Sequence, residues 1–179
     1  MNFETVHYFN LILGIGAIII QALSLVAIGL LLFGPKENKF LNFIKVNFIP
    51  IGFFLASAPW LVLVYSEIAG FIPCQHCWVQ RIFMFPQVIL FGVAWLRKDR
   101  NVLWYSLPLL MLGLVDAIYL NYLYYFSSFD APCDASGASC VKQYVNEFGG
   151  YISIPMLSLT AFFALITIIL VSHFYKKDD

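Results

Sequence analysis

Four cysteines, in two local pairs, are the residues in this chain whose spacing can do chemistry. Cys74 and Cys77 lie in Pro73-Cys74-Gln75-His76-Cys77-Trp78-Val79-Gln80-Arg81, and Cys133 and Cys140 lie in Pro132-Cys133-Asp134-Ala135-Ser136-Gly137-Ala138-Ser139-Cys140. Two thiols with two residues between them close a small disulfide ring whose redox behaviour is set by what surrounds the thiolate. His76 sits between the first two, and Arg81 follows the second by four positions. An apolar run starts at Cys77, so the positive end of a helix and Arg81 are both expected to favour the Cys77 thiolate. The second pair falls in a polar loop with Asp130, Asp134 and Gly137, open to a protein partner. In an oxidising compartment two such pairs read as disulfide or redox chemistry; facing the cytoplasm, metal binding gains ground.

The elements that must position them are membrane helices. The chain has 179 residues, 61% hydrophobic, 18% aromatic and 11% charged, with mean hydropathy +0.84. Soluble domains run at about 25% charged residues, so an all-α integral membrane protein is expected, as a single domain over 1–179. With zero net charge, nothing points to nucleic acid. Five apolar runs are long enough to cross a bilayer at roughly 20 residues each: about 9–33, 48–70, 77–96, 102–126 and 152–175. The first lacks the basic start and short core of a signal peptide and reads as a retained helix, with Gln21 bridging to a neighbour. Lys36, Glu37, Lys39 and Lys45 read as a short basic loop. Pro50 falls near the start of the second run, where it is tolerated, whereas Pro59 predicts a kink.

Charge orients these crossings. Lys36, Lys39, Lys45, Arg97, Lys98, Arg100, Lys176 and Lys177, eight of the ten basic residues, share one face; the opposite face has Arg81 and Lys142. The basic face is therefore expected in the cytoplasm. The N-terminus and all four cysteines then lie outside, in the cytoplasmic (inner) membrane of a bacterium or an equivalent setting. Two dithiol pairs on adjacent loops there form a relay, oxidation passing from pair to pair through mixed disulfides. No haem, flavin or iron–sulfur motif is present to take the electrons. A pair at the membrane boundary is able to reach a lipid-soluble quinone, with Trp78, Phe83 and Phe85 to pack on its ring and Arg81 to favour charge on its oxygens.

The pattern Pro-Cys-x-x-Cys-Trp-x-x-Arg-x-x-Met-x-Pro at a helix start, a second cysteine pair and Phe148-Gly149-Gly150-Tyr151-Ile152-Ser153-Ile154-Pro155 before a last helix resemble the DsbB family, especially its short Bacillus-type members. The likeness covers about 48–175. It implies a four-helix core and an enzyme that reoxidises a DsbA-like thioredoxin-fold oxidase and passes electrons to a quinone, ubiquinone or menaquinone. By matching position, Cys77 would face the quinone with Arg81 and Trp78 beside it, and Cys74 would be its disulfide partner. Cys133 would form the mixed disulfide with the oxidase, and Cys140 would exchange with the first pair. The helix at 9–33 is extra to that pattern, and the six residues between Cys133 and Cys140 make a short loop. Val141, Tyr144, Val145, Phe148 and Ile152 recur at helical spacing, which predicts a short interfacial helix holding the loop near the membrane.

Other readings stand beside this one. A vitamin K epoxide reductase-like protein also couples cysteine pairs to quinone, but its loop cysteines precede the C-x-x-C. A metal-binding or transport subunit with structural disulfides is the non-enzymatic alternative, although His76 has no second His near it in sequence and no metal site is expected. His76 is expected to tune the thiols. Asp116, in the middle of the fourth run, is either part of a proton route or a carboxyl hydrogen-bonded to Gln21 or Gln87 on a neighbouring helix. Glu67 is a second candidate for moving protons. Tyr119, Tyr122, Tyr124 and Tyr125 read as an interfacial belt.

Overall fold

A computed structural model describes residues 3–35, 37–63, 74–126 and 148–175. The protein is an all-α membrane protein. Its helices are α1 (Phe3–Phe33), α2 (Lys39–Ser57), α3 (Gln75–Arg97), α4 (Val102–Phe126) and α5 (Ile154–Phe174), and all five are long and apolar enough to cross a membrane. A 3-10 segment, Ala58–Val62, extends α2, and another, Phe148–Gly150, leads to α5.

Helices α2, α3, α4 and α5 pack as a closed ring, each against the next and α5 back against α2, while α1 lies outside the ring along α5. The sequence of α5 explains its place in the middle. It is apolar on all sides, as a helix with no solvent face must be, and 56% of its span is buried inside the protein, against 28% for α2, α3 and α4. Two glycines let the ring close tightly. A Cβ on Gly52 of α2 would lie 2.3 Å from Phe91 of α3, and one on Gly113 of α4 would lie 2.2 Å from Phe162 of α5. Each fully buried phenylalanine fills the hollow that the facing glycine leaves, the small-residue packing that lets membrane helices approach.

Polar side chains tie the helices where lipid would leave them unpaired. Gln21 of α1 donates to Thr160 Oγ1 of α5 (2.6 Å) and accepts from the Tyr151 hydroxyl (2.8 Å), which is the bridging role expected of it. Ser106 of α4 hydrogen-bonds Gln87 of α3 inside the core. Asn121 of α4 donates to the Pro155 carbonyl at the start of α5 (2.9 Å). Ser153 caps α5 by accepting from the Met156 amide, and Pro155 occupies its first turn, as helix starts prefer.

Two expectations about the second helix are corrected. Lys39 and Lys45 are not in a loop: α2 begins at Lys39, capped by Asn38, whose side chain accepts from the Phe40 and Leu41 amides. Pro50 is consequently interior, and the helix loses regular geometry at Asn47 (φ −105°, ψ 19°). The cause is the missing proline N–H and the clash of its ring one turn back. At Pro59 the α-helix has already given way to the 3-10 segment. The fourth helix spans the predicted 102–126. Of the expected interfacial helix, only 148–152 falls within the described residues, and 148–150 is a 3-10 turn with Gly149 at φ 69°. Glu67 lies outside the described residues.

Candidate functional site

Helix α3 begins two residues earlier than the apolar run suggests, and this changes which cysteine meets the helix end. Cys74 is the N-cap, with extended backbone (φ −74°, ψ 170°), and Gln75 is the first helical residue. An N-cap side chain reaches over the first turn, so the sulfur of Cys74 comes to 3.1 Å from that of Cys77. Both are free thiols, Cys74 buried and Cys77 half-buried; Cys74 packs on Leu120 of α4, and Cys77 packs against that pair. The motif thus sits against α4 below its end, since Ser153 and Tyr151 at the start of α5 meet α4 further on, at Tyr125.

The favoured thiolate is Cys74, where the sequence pointed to Cys77. The hydrogen bond from the Cys77 thiol is the largest cause; burial opposes it, and the Cys77 amide, the His76 ring and the His76 amide support it. The net effect pulls the Cys74 thiol down to about 6 from an ordinary 9.0. A helix N-terminus acts on the groups nearest its unpaired N–H donors, and a cysteine at the cap is nearer than one inside the first turn.

Trp78, Arg81 and Phe85 follow at helical spacing on α3. The Arg81 guanidinium lies over the Trp78 ring, 5.0 Å from its centroid, and Trp78 is more than half exposed. Phe85 stacks on Trp60 of the 3-10 segment after α2, centroids 4.9 Å apart and planes 28° from parallel. Trp78 and Arg81 therefore lie together on one flank of α3. Cys133 and Cys140 lie outside the described residues.

Sequence reasoning missed the partner of Asp116. The carboxylate does not meet Gln21 or Gln87, which are engaged with Thr160 and Ser106. Its Oδ1 is 2.7 Å from His76 Nδ1, and the His76 ring also lies against Tyr119 (centroids 5.3 Å). Asp116 Oδ2 is buried and, among the described residues, has no hydrogen-bond partner. An ionisable group in mid-membrane requires a partner, which was the available signal. The register of α3 against α4 chose it.

Comparison with known proteins identifies relatives of this chain. The chain is 33% identical over 140 residues to "Probable disulfide formation protein C 2" of Bacillus anthracis, covering 78% of this chain and 99% of that protein. It is 43% identical over 106 residues to "Disulfide bond formation protein C" of Bacillus subtilis, covering 58% and 75%. Against the "SPbeta prophage-derived disulfide bond formation protein B" of Bacillus subtilis it is 36% identical over 121 residues, 68% and 81% of the two chains. No family model and no solved structure matches. With nearly the whole of one relative matched at this identity, and a C-x-x-C thiol pair at the start of a membrane helix, the chain belongs to the DsbB-like family of disulfide formation proteins.

Proposed function

We propose that this protein is a membrane thiol oxidase that restores the disulfide of a DsbA-like, thioredoxin-fold partner and passes two electrons to a membrane quinone. The observation that carries the reading is the pair of free thiols, Cys74 and Cys77, 3.1 Å apart at a helix start. They need only lose two electrons and two protons to close a disulfide. The relatives' names, disulfide formation proteins, favour the same direction of chemistry.

In this reading a thiolate of the reduced partner attacks Cys133 of the Cys133–Cys140 disulfide with Cys140 leaving, and the partner's second thiolate displaces Cys133. The loop disulfide is restored when Cys140 attacks Cys74 of the Cys74–Cys77 disulfide with Cys77 leaving, and Cys133 then displaces Cys74. The basic face of the bundle lies in the cytoplasm of a bacterium and the cysteines outside its cytoplasmic membrane. The residues beside Cys77 fit a quinone: exposed Trp78 offers a flat face, Arg81 over it a cation for the ring oxygens, and the Trp60–Phe85 stack a further aromatic wall. A bound quinone supplies an acceptor for two electrons and two protons. This chain's part is to hold the ring beside Cys77, to exclude water from the buried Cys74 and to keep the sulfurs in exchange distance.

The test is quinone consumption by the purified protein in lipid nanodiscs, given a reduced thioredoxin-fold oxidase. Quinone reduction matched by partner oxidation supports the reading, and no quinone reduction with either ubiquinone or menaquinone sinks it.

A further inference from the structure

Asp116 is acidic, sits in the middle of α4 and places one oxygen on a histidine that stands between the two redox cysteines. A carboxylate at this depth is costly, and a simple helix tie needs no ionisable group: Ser106 with Gln87 already joins α3 to α4. With Nδ1 engaged by Asp116, the ring orientation is fixed and Nε2 is left as the nitrogen that accepts a proton. A carboxylate behind a histidine has the same effect in metal sites and catalytic triads. Among the described residues, the titratable groups at His76 are Cys74 and Cys77 on its own helix and Asp116 and Tyr119 on α4, while Arg81, the next charged residue of α3, lies over Trp78. The half of α2 that approaches this end, with its 3-10 extension, has no titratable side chain from Ile49 to Val62.

We propose that Asp116, acting through His76, stabilises the Cys74 thiolate and so makes the Cys74–Cys77 disulfide a stronger oxidant. The proton leaves the Cys74 thiol for His76, the Asp116 carboxylate stabilises the resulting imidazolium, and no electrons move in this step. Favouring the thiolate favours the reduced pair, so the disulfide accepts electrons more readily, the relation that makes a low-pKa dithiol protein oxidising. The inference rests on the reading of Cys74 and Cys77 as a redox pair but not on the identity of the electron acceptor. Asp116 is a positioning residue, since it reaches the sulfur only through the ring.

The experiment uses the full chain in nanodiscs without quinone or partner. Reduced protein is alkylated with iodoacetamide over a range of pH, and the Cys74 peptide is followed by mass spectrometry. Separately, the Cys74–Cys77 pair is equilibrated with glutathione buffers, where disulfide plus two glutathione thiols gives dithiol plus glutathione disulfide. The wild-type alkylation midpoint is expected at about 6. Asp116→Asn and His76→Gln should each raise it by about 0.7 unit, a fivefold change in ionisation. Each should also lower the equilibrium constant about fivefold, or ~20 mV. The double variant should match either single variant. An unchanged midpoint and equilibrium in Asp116→Asn overturns the proposal, as does an Asp116→Asn shift that persists in full when His76 is already glutamine. If Asp116→Asn fails to fold, His76→Gln decides alone, because an unchanged midpoint there removes the middle of the relay. Wild-type cysteines that never equilibrate with glutathione would remove the redox reading itself. Equilibration with identical variants would remove only the role of Asp116 and His76.

Discussion

The two ends of the helix bundle are finished differently. At the basic end the backbone groups are paired. Asn38 caps α2, and the Tyr175 hydroxyl accepts from the Asn38 amide (2.8 Å) and donates to its carbonyl (3.1 Å). Arg100 reaches from the turn after α3 to the Lys45 carbonyl (2.8 Å) while lying over the Phe48 ring. At the cysteine end, α3 starts on Cys74, whose sulfur is favoured by the Cys77 and His76 amides but, as a weak acceptor, makes no full capping hydrogen bond. Nearby, among the described residues, Gln80 Nε2 and Asp116 Oδ2 are buried without partners, against Ser172 Oγ alone toward the basic end of α5. Each such omission costs on the order of 1 kcal/mol or more. A conventional cap would remove the thiol, and replacing Asp116 would remove the carboxylate that holds the His76 ring. The local weakness lies at the proposed redox pair, the kind of place where unsatisfied groups generally gather.

The largest expected break in this comparison is Cys77→Ala. The Cys77 thiol is the first cause of the low Cys74 value, so its removal should return the alkylation midpoint of Cys74 from about 6 most of the way toward 9.0. The sign follows from the acid: Cys74 is thiolate above its midpoint, so at neutral pH the wild type is mostly ionised and the variant mostly protonated. The thermal melt should barely move, because Cys77 is half-buried and leaves no core cavity. A midpoint that stays near 6 would mean that the helix end and His76 suffice.

Tyr175→Phe is the complementary change at the basic end. It removes both hydrogen bonds to Asn38 at a buried site and should cost about 1–2 kcal/mol, read as a lower melting temperature in nanodiscs. The Cys74 midpoint should be unchanged. A shifted midpoint would show that the two ends are coupled through the bundle, and the division of labour would then fail.

Much of this division was legible in the sequence, for identifiable reasons. Apolar runs of bilayer length give the five helices, and 102–126 fell where predicted because charged or polar residues bound it on both sides. The clustering of Lys39, Lys45, Arg97, Lys98 and Arg100 at one end needs only an alternating path through the membrane. The start of α2 was misplaced because Lys39 and Lys45 break an apolar run without breaking a helix: long lysine stems lie along the helix and leave the charge at its end. The start of α3 was misplaced because a capping cysteine is invisible to hydrophobic periodicity. The His76–Asp116 pair depends on how far α4 slides along α3, and that register is fixed by the buried Ser106–Gln87 bond, which announces no offset locally.

The smallest expected effect tests the claim that the α3 cap is left weak for chemistry. Serine is among the best N-cap residues because its hydroxyl accepts from the second or third amide of the helix, whereas alanine accepts from none. At position 74 the backbone already has the extended cap geometry, so the serine oxygen is placed to meet the Cys77 amide without a change of φ or ψ. Cys74→Ser should therefore be more stable than Cys74→Ala by about 0.5–1 kcal/mol, although neither variant has a Cys74 sulfur to exchange. The comparison is made between these two variants because both lose the same contact of sulfur with Leu120, which leaves the cap as the difference. The measurement is chemical or thermal unfolding of both in nanodiscs under reducing conditions. Equal stability would show that the α3 amides are satisfied by other groups, and the cysteine end would then be no weaker than the basic end.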